Sequence, residues 1–114
     1  MTLRQQQSLF AILVARLIQY ATALDYEVTL GEAFRSPEEA QRLAKLGKGI
    51  VNSVHCSKLA IDLNLFKDGK YLSSSLSHKP LGEWWERQHE LCRWGGRFFK
   101  PDGNHYSMEY QGRQ

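Results

Sequence analysis

Lys58-Leu59-Ala60-Ile61-Asp62-Leu63-Asn64-Leu65-Phe66 is the stretch that decides the fold. Leu59, Ile61, Leu63 and Leu65 fall on one side of an extended chain, and Ala60, Asp62 and Asn64 fall on the other. A two-residue period of this kind predicts a strand over 58–66 with one face on a core. Downstream, Lys67-Asp68-Gly69-Lys70 carries the Asp-Gly pair of a tight hairpin, and Tyr71-Leu72 begins a return strand. Ser73-Ser74-Ser75 then forms a loop. Pro80 opens a helix that carries Leu81, Trp84, Trp85, Gln88 and Leu91, and Gly95-Gly96 breaks the chain again. A last alternating segment runs from His105 to Tyr110, with His105, Ser107 and Glu109 on one face.

Upstream, Leu9, Leu13, Leu17, Tyr20 and Leu24 recur at steps of three or four, so residues 3–24 read as an amphipathic helix. Tyr26-Glu27-Val28-Thr29-Leu30 reads as a strand. Ser36 is the N-cap of a second helix, with Pro37 at its first position and Glu39 completing a capping box. That helix should reach about Leu46 and stop at Gly47 or Gly49. The order of elements predicts an α+β fold: one small domain over 1–114, with a mainly antiparallel sheet packed with about three helices.

Composition narrows the class. Of 114 residues, 42% are hydrophobic and 24% charged, which excludes disordered, collagen-like and coiled-coil chains. No apolar run approaches the ~20 residues of a membrane span. The first residues lack the charged-then-apolar layout of a secretory signal, so the expectation is cytoplasmic synthesis. The net charge of +3 suits an anionic partner, without a dense basic block that would mark nucleic acid. Cys56 and Cys92 are too few for a disulfide scaffold and are expected as thiols.

Asp62 is the residue that calls for chemistry. A carboxylate in the middle of so apolar a strand is costly to bury unless it is paired or bound to a cation. His55 stands seven residues before it, in the loop that feeds the strand, and His105 stands at the mouth of another strand. Two histidines and an aspartate would make a three-ligand zinc site that leaves a fourth position to water. The competing reading pairs Asp62 with an arginine such as Arg35. His78 and His89 read as structural or solvated. His89 and Cys92 form a His-x-x-Cys pair on the third helix that lacks partners, and Cys56 is expected to point away from the site.

Ser53-Val54-His55-Cys56-Ser57-Lys58-Leu59-Ala60-Ile61-Asp62 resembles the S-x-H-x-x-G-x-A-x-D signature of the zinc D-Ala-D-Ala peptidases. That family includes D,D-carboxypeptidases, vancomycin-resistance dipeptidases and phage endolysins that cut L-Ala-D-Glu bonds. Asp102-Gly103-Asn104-His105-Tyr106 is similar to its second motif, an acid three positions before a histidine followed by an aromatic residue. Trp94-Gly95-Gly96-Arg97-Phe98 looks like the segment that often precedes that motif. Glu32-Ala33-Phe34-Arg35-Ser36 looks like the family's arginine segment. The resemblance spans about residues 28 to 110. Two departures stand out: Lys58 replaces the motif's glycine, and Asp102 stands where many members carry glutamate.

The resemblance implies a Hedgehog/DD-peptidase-like fold and a Zn²⁺ ion held by His55, Asp62 and His105. It implies Asp102 as general base, Arg35 as the group that binds the substrate carbonyl oxygen and steadies the oxyanion, and Ser53 as a substrate contact or a support for the His55 loop. Glu109 is a candidate partner for His105. The implied substrate is bacterial peptidoglycan, cut at L-Ala-D-Glu by a phage or prophage lysin. The resemblance implies a monomer that inserts into no membrane and binds no nucleic acid. The alternatives are a D-Ala-D-Ala carboxypeptidase, a non-catalytic zinc-containing wall-binding module and a metal-dependent nuclease, and the acid at Asp102 argues against the binding module.

Overall fold

Leu59, Ile61, Leu63 and Leu65 lie in the middle of the molecule, none more than 7% exposed. The computed structural model describes residues 1–114. Along the chain run α1 (Leu3–Ala23), β1 (Glu27–Leu30), α2 (Pro37–Lys45), β2 (Ala60–Lys67), β3 (Lys70–Tyr71), α3 (Lys79–Glu86), β4 (Cys92–Trp94) and β5 (His105–Met108). Short 3-10 turns occupy Val54–Ser57, Ser75–His78 and Gly95–Arg97. The fold is α+β, with three α-helices and one antiparallel sheet in the order β1-β2-β5-β4.

β2 organises that sheet because both of its edges are used. One edge pairs with β1, from Glu27↔Phe66 to Leu30↔Leu63. The other edge pairs first with β5, ending at Asp62↔His105, and then with β3 across the hairpin. Asp68 and Gly69 both have positive φ, as the primed turn of a two-residue hairpin requires. The core is closed by α1, whose Phe10, Leu13, Val14, Leu17 and Ala21 are buried. Phe10 meets the Trp85 ring edge-on at 5.7 Å, and Trp85 meets Tyr106 in the same way at 6.2 Å. Burying a side chain such as Leu17 contributes ~1.5–3 kcal/mol.

The N-terminal turn of α1 also reaches the loops that matter for the site. Thr2 and Gln5 form a capping box. One turn on, Gln6 donates to the Glu109 carbonyl at 2.9 Å, and Gln7 donates to the Ser57 carbonyl at 2.8 Å.

Three expectations need correction. Ser36 caps α2 as expected, with its hydroxyl accepting from the Glu39 N–H at 3.1 Å, but the capping box is incomplete. The Glu39 carboxylate turns instead to the Arg42 guanidinium, which offers a charge-assisted pair. The third helix ends at Glu86, so Gln88, His89 and Leu91 lie beyond it. Cys92 to Trp94 form β4, a strand that the periodicity hides inside the expected helix. The His89/Cys92 pair therefore shares no helix. Trp85 explains the early stop: its indole N–H donates to the carbonyls of Arg93 and Ser107, each at 3.0 Å, and this holds β4 and β5 against α3.

Candidate metal centre

His55 is placed by a short, well-tied turn. The Ser53 hydroxyl accepts from the His55 N–H at 3.1 Å and caps the turn. Lys58 ends it in the left-handed region, at φ 58°, and its N–H donates to the His55 carbonyl at 3.2 Å. That reversal aims the chain into β2. The motif's usual glycine is the residue that takes this conformation without strain.

Asp62 and His105 are brought together by strand register, since they face each other across the β2–β5 ladder. The ring of His105 also packs beside Phe98, with centroids 5.3 Å apart. His55, Asp62 and His105 each offer one ligand atom, and these atoms lie within 4.8 Å of one another. The separations are 3.4 Å from His55 Nε2 to Asp62 Oδ1 and 3.5 Å from His105 Nδ1 to the same oxygen.

Hydrogen bonds on the far side of each ring decide which nitrogen faces inward. His55 Nδ1 lies 2.9 Å from the Ala33 carbonyl. A carbonyl only accepts, so Nδ1 carries the proton and Nε2 presents its lone pair. His105 Nε2 lies 3.1 Å from the main-chain oxygen of Gln114, which by the same reasoning leaves Nδ1 inward. Both imidazoles are thus oriented as a metal site orients them.

Asp62 Oδ1 is buried and has no hydrogen-bond donor. Burial alone would raise its pKa, but the two imidazoles outweigh that and hold the carboxyl down at about 2. Burial likewise works against a charge on His55. The Asp62 carboxylate and the Ala33 carbonyl overcome it and raise the His55 pKa. The cluster therefore demands a positive charge at its centre. A proton on His55 meets that demand in the metal-free protein. A divalent cation meets it better, because all three inward atoms then have a partner. Two imidazole nitrogens and one carboxylate oxygen are a donor set suited to zinc.

Asp102, Arg35 and Ser53 line the same cleft, which encloses about 470 Å³. Asp102 sits on a turn fixed from several sides. Its N–H donates to the Gly95 carbonyl at 2.9 Å, and its carbonyl accepts from the His105 N–H at 3.0 Å. The Trp94 indole donates to the Gly103 carbonyl at 2.7 Å, and the Gly103 N–H donates to the Ser75 hydroxyl at 2.9 Å. Gly95 has to be glycine, because a Cβ there would lie 2.1 Å from the Asp102 carbonyl oxygen. Asp102 is exposed at the cleft mouth, yet partial desolvation of its carboxyl, reinforced by the Asp62 carboxylate, holds its pKa above the ordinary value even against the pull of His105 and His55.

The Arg35 guanidinium is largely buried and pairs with Glu32, its Nε 2.7 Å from the carboxylate, and not with Asp62. The Arg35 main-chain N–H donates to the His55 carbonyl at 3.2 Å, which ties the arginine segment to the ligand loop. Glu109 is not beside His105. Its carboxylate lies 3.3 Å from Arg93, because β5 ends at Met108 and the chain turns away.

The remaining candidates lie outside the cluster. The Cys56 thiol faces the Ser36 carbonyl at 4.0 Å. Cys92 is buried, and burial pushes its pKa up to about 12, so it stays a thiol. His78 is buried against the Tyr106 hydroxyl at 2.7 Å, and the His89 ring accepts from the Leu91 N–H at 3.0 Å. No tryptophan lines the cleft; Phe98 is its aromatic wall, and Lys48 and Lys100 add cations to its rim. Ala33 and Gln114, which orient the two rings, act through main-chain oxygens, and residue identity gives no sign of that.

No protein-family profile matches the sequence, and no curated protein matches it. Among solved structures, the fold is similar to that of the L-Ala D-Glu endopeptidase ChiX of Serratia marcescens, with a TM-score of 0.70 at 19% identity. The match covers 89% of this chain and 80% of that one. At this identity the likeness is one of fold.

Proposed function

We propose that residues 1–114 form the catalytic domain of a zinc peptidase that cuts the stem peptide of bacterial peptidoglycan, at the L-Ala-D-Glu bond. The observation that carries this reading is the orphaned Asp62 Oδ1 between two inward-facing imidazole nitrogens, at the floor of a cleft that also holds Asp102 and Arg35. The likeness in fold to an L-Ala D-Glu endopeptidase supports the choice of bond. The net charge of +3 suits an anionic wall and the work of a phage or prophage lysin.

His55 Nε2, Asp62 Oδ1 and His105 Nδ1 would hold the ion. Zinc with three protein ligands lowers the pKa of a water to roughly 7 and polarises a carbonyl. The chain's own residues do the rest. Asp102 takes the proton of the attacking water and delivers it to the leaving nitrogen as the carbon–nitrogen bond breaks. Its raised pKa suits a group that must both accept and return a proton. The Arg35 guanidinium, held by Glu32, places a fixed positive charge in the cleft for the oxygen that becomes negative. Ser53 acts one step back, by capping the turn that presents His55.

The test is digestion of purified peptidoglycan by the zinc-loaded protein, with new termini identified by mass spectrometry and Asp102→Asn run beside it. New D-Glu amino termini, lost in the variant, are the expected result. Release of free D-alanine would move the protein to the carboxypeptidases. Absence of cleavage with one zinc bound per chain would overturn the enzyme reading in favour of a wall-binding module.

A further inference from the structure

The chain after β5 does not leave the site. Tyr110 and Arg113 bridge each other, with both N–H···O bonds at 2.9 Å, around Gln111 and Gly112 at φ 50° and 75°. This closed turn points Arg113 back at the loop that carries His55. Its guanidinium donates to the Ser57 hydroxyl at 3.0 Å and reaches the Ser53 carbonyl at 3.5 Å. The same guanidinium lies 5.4 Å from the Tyr110 ring centroid. The next residue, Gln114, supplies the main-chain oxygen that accepts from His105 Nε2.

Resting on the reading of His55, Asp62 and His105 as a metal site, we propose that the Tyr110–Gln114 turn is a clamp for that site. Arg113 and Gln114 are its positioning residues. Arg113 joins the two segments that bring the imidazoles, since Ser53 and Ser57 flank His55 while Tyr110 follows the strand begun by His105. Gln114 fixes the tautomer and the face of the His105 ring. With the Gln114 oxygen in place, the proton belongs on Nε2 and the Nδ1 lone pair faces Asp62. Without it, both ring nitrogens compete for the proton and the inward lone pair is no longer assured. Removal of an outer hydrogen-bond partner of this kind typically lowers metal affinity ~10–100-fold.

The clamp is separable from the core. Gln111, Gly112 and Gln114 are exposed, Arg113 is half-buried, and the hydrophobic core cluster is built without residues 111–114. The experiment compares the full chain, a chain lacking 111–114, and Arg113→Ala. Zinc affinity is read by competition with a chromophoric chelator, ligand geometry by the visible absorption of the cobalt-substituted protein, and folding by circular dichroism of the metal-free forms. The expected result is zinc affinity ~10–100-fold weaker in the shortened chain, with an altered cobalt spectrum and unchanged metal-free circular dichroism. Arg113→Ala should weaken binding in the same direction by a smaller factor, and Arg113→Lys, which can still reach Ser57, should recover part of it. Equal affinity and an identical cobalt spectrum in all forms would overturn the clamp while leaving the metal site standing. A full-length protein that binds no zinc would overturn both.

Discussion

His78 offers a quantitative check on the buried architecture beside the site. It is 3% exposed, its Nδ1 lies 2.7 Å from the Tyr106 hydroxyl, and burial pushes its pKa down from 6.5 to about 4. The sign follows from linkage. The unfolded chain takes up a proton near pH 6.5 and the folded protein refuses it until about pH 4. The stability held by neutral His78 is therefore fully present above 6.5, declines as the pH falls, and stops declining below about 4. With those two values the loss is about 2 kcal/mol at pH 5, with a ceiling of about 3 kcal/mol. His78→Asn removes the titration and keeps an oxygen that can accept from Tyr106. Urea unfolding of metal-free wild type and variant at pH 8 and pH 5 isolates the effect, because His55 and Asp62 titrate alike in both proteins. The stability of wild type relative to the variant should drop by about 2 kcal/mol between those pH values. A relative stability that does not move with pH would show that His78 is not a buried neutral imidazole.

Three further outcomes follow from the site. Lys58→Gly should stabilise the protein by ~0.5–1 kcal/mol, the left-handed cost relieved less the entropy of glycine, and a lower urea midpoint would refute the strain at φ 58°. Gly95→Ala should cost ~1–3 kcal/mol and weaken zinc binding, because the Asp102 carbonyl it meets is backbone and Asp102 is hydrogen-bonded to His105; wild-type affinity by chelator competition would count against that coupling. In the metal-free protein, the stabilisation by Asp62 is complete above 3.8 and is lost as the pH falls through about 2, whereas that by His55 is complete below 6.5 and lost as the pH rises through its raised folded value. Zinc must displace the His55 proton, so calorimetry at pH 6 in buffers of different ionisation enthalpy should show proton release, and none would mean that His55 is not a ligand.

The parts of this molecule that were legible in the sequence are those in which side-chain pattern and local geometry agree. The Leu59–Leu65 alternation, the Asp-Gly hairpin and the Ser36-Pro37 helix start each depend on residues close in sequence, and each is present. β4 was not legible because Cys92-Arg93-Trp94 is too short to show a period. Trp84, Trp85, Gln88 and Leu91 mimic a helical stripe, and the early end of α3 is imposed by contacts of Trp85 with residues as far away as Ser107. Propensity yields to tertiary contact in such a case. Glu109 failed as a partner of His105 for a related reason, since strand alternation predicts a shared face only while the strand lasts, and β5 stops one residue earlier.

The site divides along a different line. The proposed roles of His55, Asp62, His105 and Asp102 rest on side chains whose chemistry is unusual for their surroundings, and an aspartate within an apolar strand announces itself. Their orientation depends on main-chain oxygens at Ala33, Gly95 and Gln114, which every residue type supplies. Lys58 shows the two layers meeting. As a letter it breaks the glycine motif and puts the loop in doubt. In space its backbone does what glycine's would, closing the turn on the His55 carbonyl with φ 58°, while its ammonium extends outward to within 5.4 Å of the Phe34 ring centroid. The requirement at that position is a left-handed backbone, and lysine satisfies it at a conformational cost of ~1–2 kcal/mol that glycine does not bear. The substitution therefore bears on stability and leaves His55 and Asp62 where the ladder and the turn put them.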